Sequence, residues 1–226
     1  MVDEKTNGQA VPGAPTAPDA ARIDVAELRA RAATYAFLSR ALSDEELPAE
    51  FLGALAADGP ETGTALDGYM VGLAGLDAAG LEAAHRDLAA DHAALLLGMS
   101  ARPVSPFESV YTSPEQLMRQ EAWERAVRDY AASGFKPVST LRVPEDHISI
   151  ELQFCSALLN RAADFAAAGV LDAAARDAAA QASFVRGHLA AWVPRFCDLL
   201  EERAHTDFYR GVAQMLRELL TQEAAE

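Results

Sequence analysis

Two Glu-x-x-His steps, Glu82-x-x-His85 and Glu202-x-x-His205, and one cluster, Asp146-His147 with Glu151, are the places where this sequence could do chemistry. Paired Glu-x-x-His steps on facing helices are how ferritin-like bundles hold two metal ions, provided that all four side chains point inward together. At about 100° per residue, His85 shares one narrow stripe with Leu81, Leu88, His92, Leu95 and Met99, whereas His205 falls opposite Phe196 and Leu200 beside a helix end. The pair meets the spacing but only half of the geometry, and a ferritin-like metal-binding enzyme is kept as the alternative reading. His147 and Glu151 are one helical turn apart and could form an acid/base group or half a metal site. Against that stands a structural role, because Glu145 and Asp146 fit a helix start, where negative charge meets unpaired N–H groups and the positive dipole end.

Other chemistry is excluded more firmly. No G-x-S-x-G is present, and neither cysteine, Cys155 nor Cys197, has a basic neighbour at a helix start or a partner at C-x-x-C or zinc spacing. Both sit among apolar residues and read as buried free thiols. The phosphate cradles G-x-x-x-x-G-K-[ST] and G-x-G-x-x-G are missing. No residue is therefore assigned to catalysis or to a metal, and no cofactor is expected.

Composition points the same way. The 226 residues are 50% apolar, enough for a sizeable core, and 34 acidic against 19 basic residues give a net charge of -15. Such a surface repels a phosphate backbone and attracts a cationic partner. No apolar run approaches the ~20 residues that span a bilayer, and no basic segment with an apolar core opens the chain, so the expectation is a cytoplasmic protein with no stable membrane insertion.

The elements that must position these residues are helical. From Ile23 onward strand-like alternation is nearly absent, and alanine, leucine and arginine dominate, so the fold class is all-α, with eight or nine helices in one domain of two lobes. Residues 1–22 read as a disordered tail, 23–140 as an N-terminal lobe and 141–226 as a C-terminal lobe, with a hinge near 136–147. Expected helices run from Asp24 to Leu42 and from Pro48 to near Ala57, with Ser43-Asp44-Glu45-Glu46 as a capping box before the latter. One imperfect helix falls within the glycine-rich 59–80, and another spans Leu81 to Met99. Ser113-Pro114-Glu115-Gln116 has the pattern of a capped start for a helix carrying Leu117, Trp123, Val127 and Tyr130 to a stop at Gly134. A helix opened by Pro144 carries Ile148, Leu152, Cys155 and Leu159 to Gly169; one from Asp172 passes Phe184 and His188 before Pro194 breaks it; and a last one starts near Thr206.

The central stretch carries a family resemblance. Two proline-marked loops, Pro103-Val104-Ser105-Pro106-Phe107-Glu108-Ser109-Val110-Tyr111 and Lys136-Pro137 through Pro144-Glu145-Asp146-His147-Ile148, flank a helix and lead into Glu151-Leu152-Gln153-Phe154. With Asp91-His92-Ala93-Ala94-Leu95-Leu96-Leu97-Gly98 upstream and His188-Leu189-Ala190-Ala191-Trp192-Val193-Pro194 downstream, this order resembles the TorD-type chaperones, the redox enzyme maturation proteins, over about residues 23–222. The resemblance implies an all-helical, noncatalytic protein that binds the twin-arginine signal peptide and the body of a molybdenum-cofactor oxidoreductase subunit, delaying export until the cofactor is inserted. It implies a monomer or a dimer that exchanges halves through the second loop. The implied ligand-facing residues are Leu95, Pro106, Phe107, Glu108, Tyr111, Pro144, Asp146 and His147, with Tyr35 and Leu38 as flanking groove candidates. His92, a further candidate on the same groove wall as Leu95, stands where the family usually has a tyrosine or tryptophan, and Phe107 where a tryptophan is common.

Overall fold

A computed structural model describes residues 24–58, 62–137 and 143–225; the expected tail and the middle of the expected hinge, residues 138–142, lie outside the described residues. Ten α-helical segments appear: α1 (Val25–Ala41), α2 (Ala49–Asp58), α3 (Ala65–Ala74), α4 (Ala78–Leu95), α5 (Glu108–Thr112), α6 (Glu121–Ala132), α7 (Ile148–Ala167), α8 (Leu171–Phe184), α9 (Ala190–Arg203) and α10 (Asp207–Ala225). A π-helical turn, Val185–Leu189, joins α8 to α9. Among the described residues there is no β-strand, only one isolated antiparallel bridge between Phe107 and His147. The chain is a single all-α domain.

Each long helix follows from a stripe of apolar residues. Along α7, Ile148, Leu152, Cys155 and Leu159 are all fully buried, and α1 lies against that seam with Leu28, Tyr35 and Leu38. Burying one such leucine or isoleucine side chain stabilises the fold by roughly 1.5–3 kcal/mol, so this pairing forms the central layer. It joins residues on both sides of the expected lobe boundary at 140. α10 packs Phe208, Val212 and Leu216 against α3 and α9. Gly134 and Gly169 stop α6 and α7 with φ of +68° and +76°, the left-handed conformation that favours glycine at a helix end.

Several boundaries differ from the sequence expectation. Ser43 does not cap α2; its hydroxyl donates to the Arg40 carbonyl (3.0 Å) and closes α1 instead. Met99 lies beyond the end of α4 and is exposed. Ser113 likewise ends α5, its backbone N–H donating to the Ser109 carbonyl, and α6 begins only at Glu121. The intervening Gln116 and Arg119 take φ of +54° and +58°, which no helix can include, and Leu117 is exposed rather than inward. Pro194 does not break its helix but lies inside α9, a few residues after the π turn.

Gly211 on α10 explains how α3 is held. A Cβ built there would lie 2.3 Å from the backbone nitrogen of Leu66, so the two helices touch through main chain. Gly211→Ala must push α3 away, and overpacking of this kind costs roughly 1–3 kcal/mol or more. The expected outcome is a drop of several degrees in the melting temperature, read by circular dichroism, whereas Gly72→Ala, which meets nothing within 4 Å, leaves it unchanged or higher.

Candidate functional site

The two proline-marked loops meet. The backbone N–H of Glu108 donates to the Asp146 carbonyl (3.0 Å), that of Ile148 to the Pro106 carbonyl (2.8 Å), and that of Ser109 to Asp146 Oδ2 (3.0 Å). Asp146 therefore caps α5 across the chain rather than the helix that follows it. That role goes to His147, whose Nδ1 accepts from the Ser149 N–H (3.2 Å), while its ring meets Phe107 edge to face at 5.2 Å. Glu145 is likewise turned away from α7: it accepts the Trp123 indole N–H, and its carbonyl accepts the Tyr130 hydroxyl at 3.0 Å. Tyr111 closes the arrangement, its hydroxyl donating to the Ser105 carbonyl (2.8 Å) and its ring resting 5.2 Å from Trp192.

Beneath this junction lies a buried polar cluster that sequence reasoning did not assemble. Glu108 and Glu151 are wholly buried, and His188 nearly so. Glu108 Oε2 is 2.6 Å from His188 Nδ1, and Glu108 Oε1 accepts from Arg125 (3.2 Å). His188 Nε2 faces Asp129 Oδ2 at 3.3 Å, and the ring stacks on Phe184 at 4.4 Å. The Trp192 indole donates to Glu151 Oε2 (3.2 Å); Glu151 Oε1 has no donor, and its neighbour is the Glu108 carboxylate. The π turn widens the helix at His188, a device frequent at functional sites. The signal available in sequence was the pair of acidic residues flanking the two prolines, but nothing local reveals that Glu108 points inward.

Protonation follows from burial. Loss of water raises the Glu151 carboxyl well above its usual range, and the charges of Glu108 and Asp146 add to this against the opposing Trp192 hydrogen bond. Burial also raises Asp146, and it lowers His147 to about 4, so that imidazole is neutral at pH 7. The thiols of Cys155 and Cys197 are pushed up by burial, the second to about 12, and both are free, as their apolar neighbours indicate.

Of the eleven candidate ligand-facing residues, Tyr35, Leu38, His92, Leu95, Pro106, Glu108, Asp146 and His147 are buried, and Phe107, Tyr111 and Pro144 are half-buried. Tyr35 accepts from Gln181, which also binds Glu223 (3.2 Å), linking α1, α8 and α10. His85 and His92, the two histidines of the α4 stripe, each reach a carbonyl of the loop after α1, Leu47 (2.8 Å) and Ser43 (2.9 Å). Glu82 pairs with Arg86 and Glu202 with Arg102, and His205 is exposed, so the two Glu-x-x-His steps do not converge.

Beside the junction is a shallow apolar hollow of about 480 Å³ lined by Leu96, Leu97, Pro103, Phe107, Leu117 and Met118. Leu97, Leu117 and Met118 are 44%, 58% and 51% exposed, and the left-handed Gln116 and Arg119 hold the last two outward. A patch of this kind on an otherwise charged surface is a candidate interaction site. Leu117 escapes the sequence reading because it is assigned to the inward stripe of a longer α6, and nothing local singles out Met118.

Sequence comparisons assign this all-α domain to a family. The nitrate reductase delta subunit family matches residues 44–198, which includes both loops, and the chain belongs to that family, of TorD type. Among its relatives are proteins named chaperone protein TorD: that of Vibrio parahaemolyticus is 26% identical over 133 residues, 59% of this chain and 60% of the relative. Those of Vibrio cholerae (28% over 140 residues, 62% of each chain) and Aeromonas salmonicida (32% over 138 residues, 61% and 59%) are similar to the same extent. The chain thus spans less than two thirds of the length of these relatives. No helix among the described residues is long and apolar enough to cross a membrane.

The sign of one pH dependence follows from Glu151. With a raised folded pKa, it must take up a proton on folding wherever the unfolded carboxyl is ionised, and this costs up to about 1.4 kcal/mol per pH unit above ~4.3. Glu151→Gln keeps the shape and the Trp192 hydrogen bond without that cost. In chelator-containing buffer the variant is expected to melt higher than the parent, by more at pH 8 than at pH 5. His147 acts in the acid range: with a depressed folded pKa, its contribution is present above pH ~6.5 and lost as pH falls through about 4.

Proposed function

We propose that this protein is a noncatalytic cytoplasmic maturation chaperone that binds the twin-arginine leader, and the body, of a molybdenum-cofactor oxidoreductase subunit and delays its export until the cofactor is in place. Family membership and relatives named as TorD chaperones support the general role. The observation that carries the leader-binding part is the apolar hollow around Phe107, Leu117 and Met118 on a chain of net charge -15. A twin-arginine leader pairs a cationic end with an apolar core, and this surface offers the complement to each. Phe107, Tyr111 and Pro144 are the motif residues that keep some surface in the closed form. Pro106 lines the hollow, and Tyr35, Leu38, His92, Leu95, Glu108, Asp146 and His147, buried in the closed form, meet a ligand only when the packing around the loops opens. The closed form is stiff, because prolines restrict both loops without ordering cost on binding.

A fluorescent peptide carrying an Arg-Arg pair followed by an apolar core tests this by anisotropy. Binding in the micromolar range is expected, weakening about tenfold between 50 mM and 0.5 M salt as the charges are screened. A double change of the exposed pair, Leu117→Ser with Met118→Ser, should weaken binding by about tenfold or more, because the lost apolar contact is worth roughly 1–3 kcal/mol, with the helical signal unchanged. Absence of any anisotropy change at millimolar protein would refute leader binding.

A further inference from the structure

We propose that Glu108, Glu151 and His188 form a binding site for one divalent transition-metal ion of the zinc class, buried beneath the loop junction. One ligand atom from each residue lies within 4.8 Å of the other two, and all three side chains are buried. Tetrahedral ligands at about 2.0–2.2 Å from an ion sit roughly 3.4 Å from one another, so modest side-chain turns reach that geometry.

The outer partners make this more than a cluster of acids. Arg125 holds Glu108 Oε1, Trp192 holds Glu151 Oε2 and Asp129 faces His188 Nε2. Each ligand thus has one polar atom tied back, and the other atoms, Glu108 Oε2, Glu151 Oε1 and His188 Nδ1, face one another, so that an ion at the centre replaces the hydrogen bond between Oε2 and Nδ1. A carboxylate on the far nitrogen of an imidazole is the usual device for orienting a histidine toward a metal. Glu151 Oε1 is the independent sign of a ligand: it is fully buried, no N–H or hydroxyl donates to it, and its neighbour is the Glu108 carboxylate, so only a proton or a cation between the two satisfies it.

Charge balance agrees. Glu108 meets one guanidinium, Arg125 from α6, the Glu151 and Asp146 carboxyls lie near Glu108, and Asp129 on α6 stands behind His188. A divalent ion supplies positive charge among these acidic groups, and mixed carboxylate and imidazole ligands suit zinc, cobalt or manganese. The ion would tie together α5, α7 and the π turn, three segments far apart in sequence.

Cobalt(II) is the probe. The full chain, treated with chelator and dialysed, is titrated while visible absorption and proton release are followed. Expected are a d–d band saturating at one equivalent, competition by zinc and release of about one proton per ion. Glu151→Gln, which keeps the fold's shape, should weaken the site by about 100-fold or more, since disturbing even outer partners costs 10–100-fold. His205→Ala, at an exposed histidine on another face, should leave it unchanged. No band at millimolar cobalt, a site holding protons only, overturns the proposal. So does a band that survives Glu151→Gln or disappears with His205→Ala.

Discussion

Three carboxylates that never touch water, those of Glu108, Asp146 and Glu151, set the terms for this structure. An isolated buried carboxylate is so costly that the surrounding chain must supply donors, counter-charges or a proton. Here the donors come from everywhere at once: the Ser109 amide, Arg125 on α6, the Trp192 indole on α9 and His188 on the π turn. The loops cannot separate without leaving at least one of these groups unpaired. That makes the junction an all-or-none contact, and it explains why a five-residue helix, too short to be stable alone, is fixed in place.

That network also sorts the motif residues into two depths. Phe107 and Tyr111 turn part of a ring to the surface, while Glu108, Asp146 and His147 from the same two loops form the layer that holds them. The lower layer fixes the position of the upper one through the hydrogen bonds between the two loops. The -15 charge acts over a longer range and sets which partners approach before any of these contacts form.

How much of this was legible depended on range. The long helices were, because a stripe such as Phe208, Tyr209, Val212 and Leu216 repeats often enough for periodicity to declare it, and glycine ends at 134 and 169 need no tertiary context. The region from 105 to 120 misled, because Ser113-Pro114-Gln116 satisfies a local capping rule that the adjacent α5 overrides by using Ser113 as its own end. Asp146 capping a helix 37 residues earlier in the chain, and Glu108 meeting a histidine 80 residues later, have no local signature. The Glu-x-x-His pairs illustrate the converse: spacing was right, but each glutamate found an arginine closer to hand.

The position of α10 has a consequence for the order of events at the ribosome. It fills the groove against α3 through Gly211, and its Glu223 completes the polar link of Arg31 to Gln181. Residues 207–225 thus supply a wall of the space formed by residues 65–74, far earlier in the chain. A nascent chain stopped before residue 207 lacks the helix that packs on Leu66, Met70 and Leu73, so α3 reaches its final packing only after α10 has emerged.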